Sequence, residues 1–190
     1  LHLVEIDPLL SKELETNQKY KNIKEISNTD ILDYDLSTFN KYKVIGNIPY
    51  NISTPIIFKF LNNIRWSSMI LMIQKEVAER IVAKPNSKAY GRLSVMCQAL
   101  SDINIEFNIS KNVFIPKPKV NSSVVRFTPN DIIITDINRF SSIVKHSFSQ
   151  RRKKIKNNLT NIIPLENYKE YANKRAQELT VDDFIKISSK

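Results

Sequence analysis

Short apolar runs alternate with helical patterns over roughly the first two thirds of the chain, and this alternation constrains the fold more than any other feature. Six runs are typical of strands: Leu1–Ile6, Ile23–Ser27, Tyr42–Gly46, Ser68–Ile73, Asp102–Phe107 and Ser122–Phe127. Four segments between them have helical patterns: Pro8–Thr16, Pro55–Asn62, Lys75–Ala83 and Arg92–Ser101. Strands that alternate with helices predict an α/β fold with a mostly parallel sheet, covered on both faces. The last two strands have no helix between them, which favours an antiparallel hairpin at one edge.

The pattern changes near residue 130. Two long segments beyond it, Asp136–Asn161 and Glu166–Lys190, predict helices and no strand. We therefore predict an α/β domain at residues 1–129 and a small all-helical domain at residues 130–190.

Composition excludes several classes of protein. The chain has 190 residues, of which 42% are hydrophobic, so it can bury a substantial core. No apolar run approaches the roughly 20 residues that span a bilayer, which predicts a soluble protein. A single cysteine, Cys97, excludes an intramolecular disulfide and fits the reducing cytoplasm, and its apolar surroundings favour core packing. Two histidines, His2 and His146, argue against a histidine-based metal site, and we expect no metal.

Positive charge is concentrated in one short segment. The formal net charge is +10, which favours a polyanionic partner such as nucleic acid or an anionic membrane surface. Five cations stand within six positions: Arg151, Arg152, Lys153, Lys154 and Lys156. Like charges at close helical spacing repel, so we favour phosphate contact over a merely solvated helix face. No strongly apolar face runs opposite this segment, which argues against a membrane role. Four further cations extend the track: Lys75, Arg80, Lys117 and Lys119.

The tetrapeptide Asn47-Ile48-Pro49-Tyr50 follows the third strand directly. The amide of Asn47 and the backbone carbonyl of Ile48 can accept hydrogen bonds from an exocyclic amino group, while Tyr50 stacks on the ring. Methylation of the amino group of adenine needs this arrangement. A strand that leaves a sheet through a proline turn is the ordinary alternative.

Acidic residues lie at or just beyond the ends of the first two strands: Glu5 closes the first, and Asp30 follows the second. In open parallel sheets, ligands bind beyond the carboxyl ends of the strands, where Glu5 could accept from both hydroxyls of a ribose. Asp30 could accept from an adenine amino group, beside a donating backbone amide. The alternatives are a charge at a helix N-terminus for the first region, with Asp7 in that role, and a solvated turn residue for Asp30. Together with Asn47, these strand ends predict a nucleoside cofactor beside a reacting base.

Several sequence blocks carry a resemblance to a known family. They are Val4–Asp7, Asp30, Gly46–Pro55, Gln74–Val77, Pro85–Val95, Phe114–Ser122 and Phe148–Lys153. In these blocks the chain resembles the bacterial small-subunit ribosomal RNA adenine dimethyltransferases, whose relatives include the macrolide-resistance large-subunit methylases. Tyr90-Gly91-Arg92 and Gln150-Arg151-Arg152-Lys153 are closer to the small-subunit branch.

The resemblance implies a Rossmann-like fold, S-adenosylmethionine as cofactor and small-subunit ribosomal RNA as partner, and we expect a cytoplasmic monomer. It implies cofactor contacts at Glu5, Ile6, Asp30, Ile31 and Asn47. It also implies a target site at Asn47, Ile48, Pro49, Tyr50 and Phe114. In that site Tyr50 and Phe114 would cover opposite faces of an extruded or unpaired adenine. A core aromatic is the alternative for Phe114.

The family also carries a glycine-rich loop after its first strand, and a segment upstream of it. We interpret Leu1 as lying in the family's second strand, so we expect an N-terminally truncated sheet without that loop; the only glycines are Gly46 and Gly91. Such a sheet should expose apolar surface and an unpaired edge.

Three other functions compete with RNA methylation. The first is a non-catalytic RNA-binding ribosome assembly factor, which the missing glycine loop favours. The second is a DNA adenine methyltransferase, which Ile48 argues against, because such enzymes more often have proline there. The third is a nicotinamide oxidoreductase, for which the sequence offers no hydride-acceptor site.

Overall fold

The computed structural model describes residues 1–16, 22–63 and 65–189. Its strands are β1 (His2–Glu5), β2 (Glu25–Asn28), β3 (Tyr42–Asn47), β4 (Trp66–Gln74), β5 (Ser101–Ile109) and β6 (Ser122–Pro129). Its α-helices are α1 (Pro8–Thr16), α2 (Ser53–Leu61), α3 (Lys75–Ile81), α4 (Arg92–Leu100), α5 (Ile137–Ser147), α6 (Ile155–Leu159) and α7 (Val181–Ser188). The predicted α/β class and the order of its strands and helices up to residue 130 are confirmed.

The strands form two sheets. β1 and β2 pair in parallel as a two-stranded sheet, which we call the small sheet. The main sheet has the order β3-β4-β6-β5, with β3 parallel to β4 and β6 antiparallel to both neighbours. The predicted antiparallel hairpin at the edge is therefore confirmed. The expectation of one sheet is wrong for the described residues, because none of their backbone hydrogen bonds joins the small sheet to β3.

Residues 29–41 connect the two sheets. The ring of Phe39 lies 4.9 Å from the ring of His2 on β1 and 5.7 Å from that of Tyr42 on β3. The Lys59 ammonium on α2 donates to the carbonyl of Leu32 at 2.7 Å. A few side chains thus hold the small sheet to the rest of the molecule.

The core lies between the main sheet and the helices. Alternate residues of β4 are fully buried, at Met69, Leu71 and Ile73, as expected for one face of a strand. The same cluster of buried side chains continues into α5 and α7, at Phe140 and Phe184. Because these helices pack on α4, the C-terminal segment shares its core with the sheet-bearing part. The domain boundary at residue 130 stays a prediction.

Some apolar side chains of the strands and their neighbours stay in solvent. Ile45, in the middle of β3, is 83% exposed. Among the helices described here, none is long and apolar enough to cross a membrane.

The two long C-terminal helices predicted at 136–161 and 166–190 are wrong in extent. The first is divided into α5 and α6 by turns at 148–154, and the second is three short 3-10 helices followed by α7. The side-chain amide of Asn158 donates to the carbonyl of Ser147 at 2.7 Å, which satisfies the end of α5. The backbone N–H of Ile155 donates to the carbonyl of Lys174 at 2.9 Å, so the chain turns onto residues 172–175 and leaves the helical path.

Cys97 should be chemically silent in the folded protein. Its side chain is fully buried on α4, and this burial raises the pKa of the thiol, so little reactive thiolate forms at neutral pH. We expect no reaction with Ellman's reagent under native conditions, and one equivalent of thiol released in guanidinium chloride. Full reaction of the native protein within minutes would contradict this placement.

Candidate functional site

Asn47 ends β3 and begins the loop that carries the predicted target site. The backbone N–H of Ile48 donates to the carbonyl of Met72 at 3.0 Å, which extends the pairing with β4 by one residue. The side chain of Ile48 is buried, whereas Asn47 and Pro49 are exposed. A Cβ atom on Gly46 would lie 2.7 Å from Cδ1 of Ile48. Any larger residue at position 46 would therefore collide with the buried side chain of Ile48.

Two hydrogen-bond acceptors remain available at this strand end. Among the described residues, none donates to the Asn47 side chain or to the Ile48 carbonyl oxygen. An amide oxygen and a carbonyl oxygen on consecutive residues can together accept the two hydrogens of one amino group.

The ring of Tyr50 is held by a contact with the first residue of β6. Its hydroxyl and Oγ of Ser122 lie 2.7 Å apart, and its own carbonyl accepts from the hydroxyl of Ser53 at 3.2 Å. Ser122 is buried at the start of β6, opposite Gln74 on β4. Tyr50 itself is half-buried.

Asn121 anchors the loop that carries Phe114 to the start of α3, next to the pair of Gln74 and Ser122. Its carbonyl accepts from the backbone N–H of Lys75 at 3.0 Å, and its Oδ1 accepts from the backbone N–H of Lys111 at 3.0 Å. Phe114 is half-buried within this loop, and its neighbour Ile115 is fully exposed.

Sequence reasoning did not assign a role to Asn121 or Ser122. Both stand in the block Phe114–Ser122 that carries the resemblance, directly before a strand. Their position was therefore visible, but their partners are far away along the chain. The Tyr50–Ser122 contact spans 72 residues.

The acidic residues lie at the ends of the small sheet. Oε1 of Glu5 accepts from the backbone N–H of Asp7 at 2.8 Å, and Oδ1 of Asp30 accepts from that of Leu32 at 2.8 Å. In the described part of the chain, no donor contacts the second oxygen of either carboxylate. Asp7 takes the helix-capping role, since its Oδ1 accepts from the N–H of Leu9 at 2.8 Å.

Asn28 joins the ends of β1 and β2. Its side-chain amide donates to the carbonyl of Glu5 at 2.9 Å and to that of Ile6 at 3.1 Å. This holds Glu5 beside the segment that leads to Asp30. A pair of partly free carboxylates beyond parallel strand ends fits the ribose hydroxyls and adenine amino group of a nucleoside cofactor.

Lys75 and Arg80 carry acidic partners on their own helix. The Lys75 ammonium lies 3.8 Å from Glu79, and the Arg80 guanidinium lies 2.6 Å from Glu76. Exposed pairs of this kind contribute at most about 1 kcal/mol, so a phosphate can replace the carboxylate. Two of the other predicted RNA contacts, Lys117 and Lys119, are exposed in the loop that carries Phe114.

The basic segment lies in the turns between α5 and α6 and at the first turn of α6. Its five cations, Arg151, Arg152, Lys153, Lys154 and Lys156, are all exposed. The Nη2 of Arg151 donates to the carbonyls of Lys88 and Tyr90, at 3.0 and 2.7 Å, whereas the Lys154 ammonium makes one longer contact, 3.4 Å from Oδ1 of Asn173. The sequence could not show that this guanidinium has protein partners.

No group of three or more histidine, cysteine, aspartate or glutamate side chains that could hold a metal ion occurs in residues 1–16, 22–63 and 65–189.

Comparison with known proteins identifies the family. The profile described as "Ribosomal RNA adenine dimethylase" matches residues 1–189. The ribosomal RNA small subunit methyltransferase A of Malacoplasma penetrans is 41% identical over 180 residues, which cover 93% of this chain and 65% of the relative. The protein of the same name from Francisella tularensis subsp. novicida is 39% identical, covering 98% of this chain and 76% of the relative. The chain thus spans about two thirds to three quarters of the length of these curated relatives.

Solved structures agree on the fold. A dimethyladenosine transferase from Plasmodium falciparum superposes with a TM-score of 0.84 at 24% identity, covering 98% of this chain and 79% of that one. The 23S rRNA methyltransferase ErmE superposes with a TM-score of 0.70 at 22% identity, covering 99% and 80%. The predicted Rossmann-like architecture is therefore confirmed.

Proposed function

Because the chain belongs to the ribosomal RNA adenine dimethylase family, we propose that it transfers methyl groups from S-adenosylmethionine to the N6 amino group of adenines in small-subunit ribosomal RNA. The observation that carries the proposal is the pair of free acceptors, Asn47 and the Ile48 carbonyl, beside the Tyr50 ring. The names of the two bacterial relatives support the small subunit as substrate. This activity belongs to ribosome biogenesis in the cytoplasm.

The acceptors address the main chemical difficulty. The amino lone pair of adenine is delocalised into the ring, which makes the nitrogen a poor nucleophile. When Asn47 and the Ile48 carbonyl accept its two hydrogens, they favour a pyramidal nitrogen whose lone pair points away from the ring. Alignment of this lone pair supplies most of the acceleration, so no strong general base is needed. One proton leaves to solvent, and the remaining N–H permits a second transfer.

Glu5 and Asp30 hold the cofactor in this proposal. The free oxygen of Glu5 accepts from the ribose hydroxyls, and that of Asp30 accepts from the cofactor's adenine amino group. Ile6 and Ile31 flank the two carboxylates. S-adenosylmethionine supplies a methyl group on a sulfonium that is already activated for transfer.

Tyr50 and Phe114 receive the target base. An adenine that reaches Asn47 must leave its stack or be unpaired already, which suits a loop in RNA. Stacking on an aromatic side chain stabilises a bound base by about 1–3 kcal/mol. The hydrogen bond between the hydroxyls of Tyr50 and Ser122 fixes the ring before the base arrives.

The deciding experiment measures transfer of labelled methyl from S-adenosylmethionine by the 190-residue chain. The substrates are small ribosomal subunits that lack adenine dimethylation, with large subunits and duplex DNA in parallel. We expect dimethyladenosine in the small-subunit RNA alone. Methylated DNA or large-subunit RNA would contradict the substrate, and binding of small subunits without any incorporation would favour the non-catalytic assembly factor.

A further inference from the structure

The loop at 84–90, between α3 and α4, is held rigidly. The backbone N–H of Asn86 donates to the carbonyl of Gln177 at 2.8 Å, and the buried hydroxyl of Tyr90 donates to that of Leu179 at 2.9 Å. Within the loop, the hydroxyl of Ser87 donates to the carbonyl of Lys84 at 2.7 Å. Asn86 has a φ of 67°, a left-handed conformation that asparagine tolerates better than most residues. The loop is thus fixed at both its middle and its end.

Arg151 joins this loop to the basic segment. Its two hydrogen bonds reach the carbonyls of Lys88 and Tyr90, 63 and 61 residues earlier in the chain. The side chains of Lys84 and Lys88 are exposed on the loop that these bonds hold. The Arg151 side chain therefore links the loop that carries Lys84 and Lys88 to the turn that carries Arg152.

The two segments that Arg151 joins carry positive charges only. Residues 84–90 and 151–156 together carry seven cations and no acidic residue. Apart from Arg151, six exposed cations lie on the two segments that it joins, and we call them together the basic face: Lys84, Lys88, Arg152, Lys153, Lys154 and Lys156. None of these six takes part in an ion pair in the described part of the chain. Among the described residues, Lys154 alone of the six has a side-chain hydrogen-bond partner, Oδ1 of Asn173 at 3.4 Å. Cations without an acidic partner bind phosphates without first breaking an ion pair.

We infer that Lys84 and Lys88 bind the phosphate backbone of the substrate RNA as part of the basic face, and that Arg151 is a positioning residue that holds them there. This inference rests on the proposed function for the identity of the RNA. It assigns the loop at 84–90 to substrate binding. It also gives Arg151 a role different from that of its neighbour Arg152, which contacts phosphate itself.

The first test measures binding of the chain to fluorescently labelled small ribosomal subunits lacking adenine dimethylation, from 50 to 200 mM salt at constant magnesium. Log affinity falls as log salt rises, and each lost phosphate contact reduces the magnitude of this negative slope by about 0.7–0.9. The double variant Lys84→Ala/Lys88→Ala should therefore lose about 1.4–1.8 from the slope and bind roughly 10–100-fold more weakly near 0.1 M salt. Lys12→Ala/Lys24→Ala, with the same change of charge near the small sheet, is the matched control and should keep the parental slope.

The second test separates positioning from direct contact. Arg151→Gln and Arg152→Gln are each made in the parent and in Lys84→Ala/Lys88→Ala. If Arg151 acts through the loop, its replacement weakens binding in the parent but adds little once the lysines are gone. Arg152→Gln should weaken binding by the same factor in both backgrounds. Melting temperatures of all variants show that each is folded.

The outcomes distinguish this inference from the proposed function. An unchanged slope for Lys84→Ala/Lys88→Ala, in a chain that methylates small subunits, overturns the inference alone. Equal effects of Arg151→Gln in both backgrounds overturn the positioning role. A reduced slope in a chain that incorporates no methyl group supports the basic face and refutes the activity.

Discussion

Replacing Asn47 with alanine should lower methyl transfer to small ribosomal subunits by about 100-fold or more, while subunit affinity stays within about twofold. Loss of one preorganised hydrogen-bonding group at a reacting centre typically costs about 10²–10³ in turnover. Asn47 is exposed at the end of β3 and supports no described part of the fold through its side chain, so the variant should remain folded. Single-turnover transfer of labelled methyl, together with equilibrium binding, measures both quantities.

Asn51 provides the matched control. It is the same residue type, exposed four positions away in the short 3-10 helix Tyr50–Ile52. Asn51→Ala should transfer methyl groups within about threefold of the parent, because the proposed mechanism gives it no contact with the reacting amine. If Asn47→Ala also retained activity within a few-fold of the parent, the role assigned to the amide would be untenable.

Replacing Tyr50 with alanine should reduce kcat/KM by about 5–150-fold, which corresponds to the 1–3 kcal/mol of one lost base–aromatic stack. Tyr50→Phe keeps the ring but loses the hydroxyl that contacts Ser122 at 2.7 Å. Its effect should be smaller, because the ring still stacks but is held less firmly.

A cycle of variants tests how Tyr50 is held. If Ser122 acts only by fixing the tyrosine ring, Ser122→Ala and Tyr50→Phe should have similar effects on kcat/KM, and the double variant should be no worse than either. Independent, multiplying effects would show that Ser122 serves the reaction in another way. Tyr50→Phe leaves the buried hydroxyl of Ser122 without this partner, and an unpaired buried hydroxyl typically costs about 1–3 kcal/mol of stability. Thermal melting of each variant measures this loss separately from the change in kcat/KM.

Periodic patterns made the α/β part of the fold predictable. The β4 run around Met69 and Leu71 alternates buried and half-buried residues, and the hydrophobic stretch of α4 is typical of a buried helix. The polar residues that end the strands were predictable too, because the carboxyl ends of parallel strands collect ligand contacts. Glu5 and Asn47 do stand at such ends.

Contacts between distant residues were not predictable in this way. The turns after α5 depend on the bond from Asn158 to Ser147 and on the docking of Ile155 against Lys174, which no local propensity encodes. The same holds for the bond of Arg151 to the Tyr90 carbonyl, which distinguishes one arginine from the next in a uniform basic run. Charge alone indicated a candidate segment for RNA binding, but it could not show that Arg151 bonds to the Lys88 and Tyr90 carbonyls.

The division of the strands into two sheets has a thermodynamic consequence. Glu5 and Asp30 belong to the small sheet and its connection, whereas Asn47 belongs to the main sheet, and the side chains of residues 29–41 link the two. A unit with so few buried contacts opens locally at a small fraction of the global unfolding free energy, so amide hydrogens of β1 should exchange far faster than those of β4. A ligand that contacts both sheets must suppress this local unfolding, which uses part of its binding free energy. Slower hydrogen exchange of the β1 amides in the presence of the ligand would measure the coupling between the two sheets.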